Sequence, residues 1–304
     1  MSTVPLTLRR ATLALALACA APAAGAREAG WPDTGPGVAA GGAVWMGPKA
    51  PASPQRIVSL APSATDTVVA LGEARRIAGI TRYDDAPEVK GRPSVGGFLD
   101  PSVEAVLALR PDLVLWVTDG SALSRVQKMA ELGLPVLALP IIGVEDITAC
   151  AREIGRALGV AEAGERLARS LEDSVARARA RAGALPRRRV LFVVGREPLV
   201  VAGPGSYPDQ LLRIVGAENV VKGTRPWPVY PVEKAVADDP DVVIDAAFLE
   251  HAGGEGRLEA IPAARRGRLV RLGNDDALRP GPRLTRALDA LFRAIHPGAR
   301  APSP

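Results

Sequence analysis

Histidine and cysteine are scarce in this chain, with two of each in 304 residues. His251 and His296 cannot build a three-histidine metal centre, and no metal ligand is assigned. Cys19 falls in a segment expected to be removed, which leaves Cys150 alone and excludes a disulfide framework or a zinc ribbon. Aromatic residues make up only 4%, so the position of each ring carries weight. No apolar run approaches the ~20 residues of a membrane-spanning helix. Basic residues exceed acidic ones by only five and are scattered, which excludes the basic stripe of a nucleic-acid partner.

Catalytic signatures are missing as well. There is no Gly-x-Ser-x-Gly elbow to present a serine nucleophile. Gly203-Pro204-Gly205-Ser206 lacks the Lys-Ser/Thr ending of a phosphate loop and puts proline where a backbone donor is needed, so it reads as a hairpin turn. The doublets Asp84-Asp85, Asp238-Asp239 and Asp275-Asp276 read as solvated loops or helix caps rather than acid/base pairs. No catalytic residue and no cofactor is assigned, and the expectation is a protein that is not an enzyme.

What is present is 47% apolar and 23% charged residues, enough for a large core, over a length that at roughly 150 residues per domain suggests two lobes. Residues 1–26 read as a secretory signal: Arg9 and Arg10, an apolar Ala11-to-Ala21 run, and small residues at Ala24-Gly25-Ala26. Cys19, preceded by Ala16-Leu17-Ala18, leaves a lipid anchor open. Residues 27–55 are rich in proline and glycine and read as a flexible linker, with Trp31 and Trp45 incidentally exposed.

From Arg56 strands and helices alternate, the pattern of a parallel sheet covered by helices. Ile57–Leu60 is a strand, Ser63 with Asp66 suggests a capping box opening the next helix, and strands follow at Ile77–Ile80, Leu113–Val117 and Val136–Leu139. Val144 to Ala184 has no strand signal: Ile147, Ile154 and Leu158 share a helical face, Gly159 interrupts it, and Leu167, Leu171 and Val175 continue every four residues. About 20 helical residues would span about 30 Å, enough to brace two lobes. Strands resume at Arg189–Val194, Asp241–Ile244 and Arg268–Leu272. The expected architecture is therefore α/β: an amino-terminal lobe over 56–142, a linking helical region over 143–186 and a carboxyl-terminal lobe over 187–298, two Rossmann-like lobes joined by a long backbone helix.

One pattern relates the lobes. Val103-Glu104 followed after six residues by Pro111-Asp112-Leu113 recurs, 129 residues on, as Val232-Glu233 followed by Pro240-Asp241-Val242. Glu104 and Glu233 thus take one helical position in each lobe, suited to a partner with two like subunits. A ligand would sit in the cleft between lobes, at the strand ends. Tyr83, Phe98 and Trp227, the last held between Pro226 and Pro228, fall in loops at those ends, where flat rings suit a broad planar ligand. Arg279 offers a cationic fork for an anionic or amide edge.

Arg56-Ile57-Val58-Ser59-Leu60-Ala61-Pro62-Ser63-Ala64-Thr65-Asp66, with segments 94–115 and 226–244 and the long central helix, resembles the iron-chelate/cobalamin (class III, helical-backbone) family of periplasmic substrate-binding proteins of ABC transporters. The likeness runs over about residues 56–296 and is greatest to its cobalamin-binding branch. It implies an exported periplasmic protein, monomeric, that delivers cobalamin or a related corrinoid to a homodimeric inner-membrane permease. It places Tyr83, Phe98, Trp227, Asp275 and Arg279 at the ligand, and Glu104 and Glu233 at the permease. Val117 and Val200 stand where that branch carries rings. Haem and ferric siderophores remain alternative ligands, the latter served by Arg82, Arg225 and Arg279, and an exported enzyme or sensor domain on the same scaffold is the reading from another class.

Overall fold

Val44–Met46 forms the first strand (β1) of a computed structural model that describes residues 42–118, 123–183, 185–247 and 255–299. The expected leader with Cys19, together with Trp31 and His251, lies outside the described residues. In the first lobe β2 (Ile57–Ser59), β3 (Ile77–Gly79), β4 (Leu113–Thr118) and β5 (Val136–Pro140) join β1 in a sheet of order β1-β5-β4-β2-β3. All pairs are parallel except the β1 edge. The continuous apolar run of β4 suits a strand covered on both faces, and Trp116 within it is fully buried. Helices α1 (Pro62–Ala70), α2 (Val103–Ala108) and α3 (Leu123–Glu131) complete the lobe.

Strand β1 corrects the expectation of a flexible linker across residues 44–46. Its backbone pairs with β5, Ala43 and Met46 are buried, and Trp45 packs on the lobe core rather than standing in solvent. Gly47, at φ 75°, turns the chain out of the strand where a Cβ would stand 2.3 Å from the Leu134 carbonyl oxygen. The helix opening differs too. Pro62, whose fixed φ suits a first helical position, starts α1 after an uncapped Ala61. Ser63 and Asp66 therefore lie inside the helix, and Asp66 is free for another role.

The linking segment is a pair of helices, α4 (Val144–Ala157) and α5 (Ala161–Ala182), broken at the Gly159 turn. Cys150, Ile154 and Leu158 join the first lobe's core, whereas Leu171, Val175, Ala178 and Ala182 join the second's, and Leu167 touches both. The 22 residues of α5 span about 33 Å at 1.5 Å per residue. The two helices cross at Gly155 and Gly164, where a Cβ on Gly155 would lie 2.8 Å from the Gly164 Cα.

In the second lobe β6 (Arg188–Arg196) is central. β7 (Leu199–Val201) pairs antiparallel with its end, β8 (Ala217–Asn219) lies parallel to its start, and β9 (Val242–Asp245) and β10 (Leu269–Arg271) extend the other side in parallel. Helices α6 (Tyr207–Ile214), α7 (Val232–Ala237), α8 (Glu255–Glu259), α9 (Pro262–Arg265) and α10 (Leu284–Ile295) pack around it. Gly203–Ser206 is not a hairpin turn: the Ser206 hydroxyl accepts from the Asp209 N–H and caps α6. The repeat seen in sequence is repeated in bonding. Asp112 accepts the Arg56 N–H at 2.8 Å, and Asp241 accepts the Arg189 N–H at 2.8 Å.

Candidate functional site

Strand β3 ends in a loop that Asp84 folds by accepting both the N–H and the hydroxyl of Thr81, at 2.8 and 2.6 Å. That turn leaves the next-door Tyr83 ring 38% exposed, with the Arg82 guanidinium 5.3 Å from its centroid. Arg82 is itself tied to Asp100, and its N–H donates to Gly96. The Tyr83 loop is thus bound to the loop carrying Phe98, which is half-buried on the lobe core, while Leu99 beside it is exposed.

Trp227 belongs to a separate strap in the second lobe. The Pro226 and Pro228 carbonyls accept from Gly203 and Val201, and the Tyr230 N–H donates to Leu199, so residues 226–230 run against β7 as an extra edge. Trp227 is half-buried on that lobe's core, and Val229 is exposed. The ring is therefore packed on one side rather than wholly displayed.

The Asp275–Arg279 loop follows β10. Arg279 is not an open fork, which corrects that expectation. It is 7% exposed, and its guanidinium donates to Asp275 (2.5 Å), Asp85 (2.8 Å) and Asp66 (3.4 Å), with the Tyr83 carbonyl oxygen at 3.4 Å. Arg283, four residues on at the start of α10, reaches Asp66 at 2.7 Å and also pairs with Asp85, and Arg286 pairs with Asp276 at 3.0 Å. Three arginines meet four aspartates, so the cluster carries more carboxylate than guanidinium. The acidic doublets are accordingly less solvated than their sequence suggests: Asp276 is buried, and Asp238 accepts from the Tyr230 hydroxyl.

The electrostatics follow from these contacts. The hydrogen bond from Arg283 holds the Asp85 carboxyl down to about 2. Burial by itself would lower Arg279, but the surrounding carboxylates, Asp275 foremost, raise it. Burial pushes Asp84 upward.

Glu104 and Glu233 stand in the first turns of α2 and α7, both exposed. Bonds from its own backbone N–H and from the Ser102 hydroxyl, which also caps α2, hold the Glu104 carboxyl below its ordinary value.

Tyr83, Asp275 and Arg279 are therefore brought together from opposite lobes, Phe98 is tied to them through Arg82 and Asp100, and Trp227 occupies its own strap. Sequence reasoning missed Asp66, Arg283, Leu99 and Val229 and gave Asp85 no ion-pair role. The closeness in sequence of Arg279, Arg283 and Arg286 was the one available signal, although only Arg286 lies within α10, with Arg283 at its N-cap and Arg279 in the extended chain before it.

A family model described as periplasmic binding protein matches residues 57–275. The vitamin B12-binding protein of Salmonella typhimurium (strain LT2) is 28% identical over 246 residues, 79% of this chain and 90% of that protein. That of Vibrio parahaemolyticus is 24% identical over 241 residues, covering 77% and 86%. Among solved structures, a periplasmic heme-binding protein from Pseudomonas aeruginosa has a TM-score of 0.74 at 30% identity, over 82% of this chain and 95% of that one. The periplasmic vitamin B12-binding protein of Vibrio cholerae has a TM-score of 0.71 at 20% identity, over 81% and 98%, a likeness of fold.

Proposed function

This chain belongs to the periplasmic binding protein family, and from that premise we propose that it captures cobalamin or a related corrinoid between its lobes and hands it to a two-subunit ABC permease. The observation that carries the choice of ligand is the filled fork of Arg279. With the guanidinium occupied by Asp66, Asp85 and Asp275, the Asp275–Arg279 loop presents acceptor oxygens rather than a free cation. A corrin ring bears amide side chains that donate hydrogen bonds and suit such acceptors, whereas haem propionates bring more negative charge to a site already rich in it. Tyr83 and Trp227 supply ring faces, and the exposed Leu99 and Val229 supply apolar surface beside them.

Haem is the second reading. It is favoured by the 30% identity to the Pseudomonas aeruginosa heme-binding protein, by an exposed phenol at Tyr83 and by an exposed Arg225 beside Trp227. Ligand would be bound and released without turnover. Export through residues 1–26, with Cys19 as the candidate for lipidation, and docking through Glu104 and Glu233 complete the reading.

The test is a calorimetric and fluorescence titration with cyanocobalamin, cobinamide, haemin and a ferric siderophore, with Trp227→Phe as the control for the origin of quenching. Saturable binding of the corrinoids is expected. Saturation by haemin alone overturns the corrinoid assignment.

A further inference from the structure

Four charged side chains from two lobes, Asp66 and Asp85 on one and Arg279 and Arg283 on the other, form a network across sequence separations of 194 to 217 residues. Asp66, Arg279 and Arg283 are 13% exposed or less. Buried ion pairs are weak stabilisers because removing both charges from water costs about as much as their attraction returns, and their better-attested use is to select one arrangement among several. These pairs sit where selection matters. Arg279 also approaches the Tyr83 carbonyl, and the start of α1 meets the second lobe directly, since a Cβ on Gly281 would come within 3.3 Å of the Ser63 Cβ.

A second tie between lobes is uncharged. The Gln210 side chain of α6 accepts from the Val144 N–H at 3.1 Å and donates to the Ile142 carbonyl at 3.3 Å, clamping the chain as it leaves the first lobe for the brace. Both ties add to the α4–α5 brace, which packs on the cores of the two lobes. The first tie is charged and the second neutral, and the charged one also holds the loop that carries Tyr83.

We infer that Asp66, Asp85 and Arg283 are positioning residues: with Arg279 they latch the lobes at the spacing, and the Tyr83 ring in the pose, that ligand capture needs, and they hold the ligand through that geometry rather than by contact. This rests on the solute-binding reading above for its affinity consequence, whereas the latch itself is measurable without ligand.

Spin labels at Ala108→Cys and Ala237→Cys, both exposed and one per lobe, report the inter-lobe distance of the unliganded full chain in a Cys19→Ser background, Cys150 being buried. A narrow distribution is expected for the parent. Arg283→Gln and Asp85→Asn should broaden it, and Arg283→Lys, which keeps a cation facing Asp66 and Asp85, should broaden it less. Asp85, more than half exposed, keeps the test open where Arg283→Gln fails to fold. Gly281→Val, a wedge that changes no charge, should mimic the broadening. With cyanocobalamin, the broadened variants should release ligand about tenfold faster. An unchanged distance distribution in Arg283→Gln and Asp85→Asn overturns the latch, and affinity lost at unchanged distance makes Arg283 a ligand contact instead. Failure of the parent to bind any of the four ligands removes the proposed function, while the distance measurement still decides the latch.

Discussion

Arg110 and Asp239 hold the same left-handed backbone, at φ 44° and 37°, in equivalent places of the two lobes. Each follows a six-residue helix, α2 or α7, and donates its N–H back to the carbonyl of Leu107 or Val236. Each is followed by proline and a strand-capping aspartate. The helix-then-strand unit has been used twice, and Glu104 and Glu233 share a position because their whole units do.

A glycine is the usual occupant of such a helix exit, because a Cβ there costs about 1–2 kcal/mol. Arg110→Gly should therefore stabilise the protein by about 0.5–1 kcal/mol, net of the added freedom of the unfolded chain. A rise in melting temperature checks it, and a fall refutes the claim of strain at this site.

The α4–α5 crossing predicts the reverse. Gly164 approaches the Ala151 carbonyl so closely that a Cβ would stand 2.8 Å away. Gly164→Ala should destabilise by about 1–3 kcal/mol, the usual penalty of overpacking, despite alanine's better helix propensity. Denaturant melts read this directly. A stabilised variant would mean that the helices separate readily.

Acid should loosen the network through Asp85. Its folded-state carboxyl lies at about 2, below the value near 3.9 of an unfolded chain. The stabilisation is therefore complete above about pH 4 and lost as the pH falls through the folded value. The stability gap between the parent and Asp85→Asn should be widest near neutrality and close by about pH 2. A gap that widens on acidification contradicts this sign.

If Tyr83 and Trp227 stack on the ligand as proposed, truncating either should cost affinity. Removing the buried area of Tyr83 or Trp227 as alanine forfeits about 1.5–3 kcal/mol, a factor of about 10 to 150 in Kd. Calorimetry with cyanocobalamin gives the number. An unchanged Kd in both variants excludes these rings from the ligand site.

The paired glutamates should behave differently. Under the proposed docking role, Glu104→Ala with Glu233→Ala is expected to abolish uptake by cells carrying the permease while Kd in solution moves by less than about twofold, because exposed charges that do not touch the ligand contribute little to its binding. Equal loss of affinity would place them at the ligand instead.

Several features were legible in residue order alone. Apolar runs broken by proline and glycine mark the parallel strands, the four-residue spacing of Leu167, Leu171 and Val175 marks α5, and the recurrence of Glu-x6-Pro-Asp marks the duplicated unit. These are local or periodic properties, written in neighbouring residues. A three-residue edge strand such as β1 is too short to show a period, so its pairing with β5 emerged only in three dimensions. The fate of Arg279 was equally hidden, because its partners Asp66 and Asp85 lie in the other lobe. Sequence specifies that an arginine is charged. Whether that charge faces a ligand or is spent on carboxylates depends on how two separately formed lobes meet, and only their packing around α4 and α5 decides that.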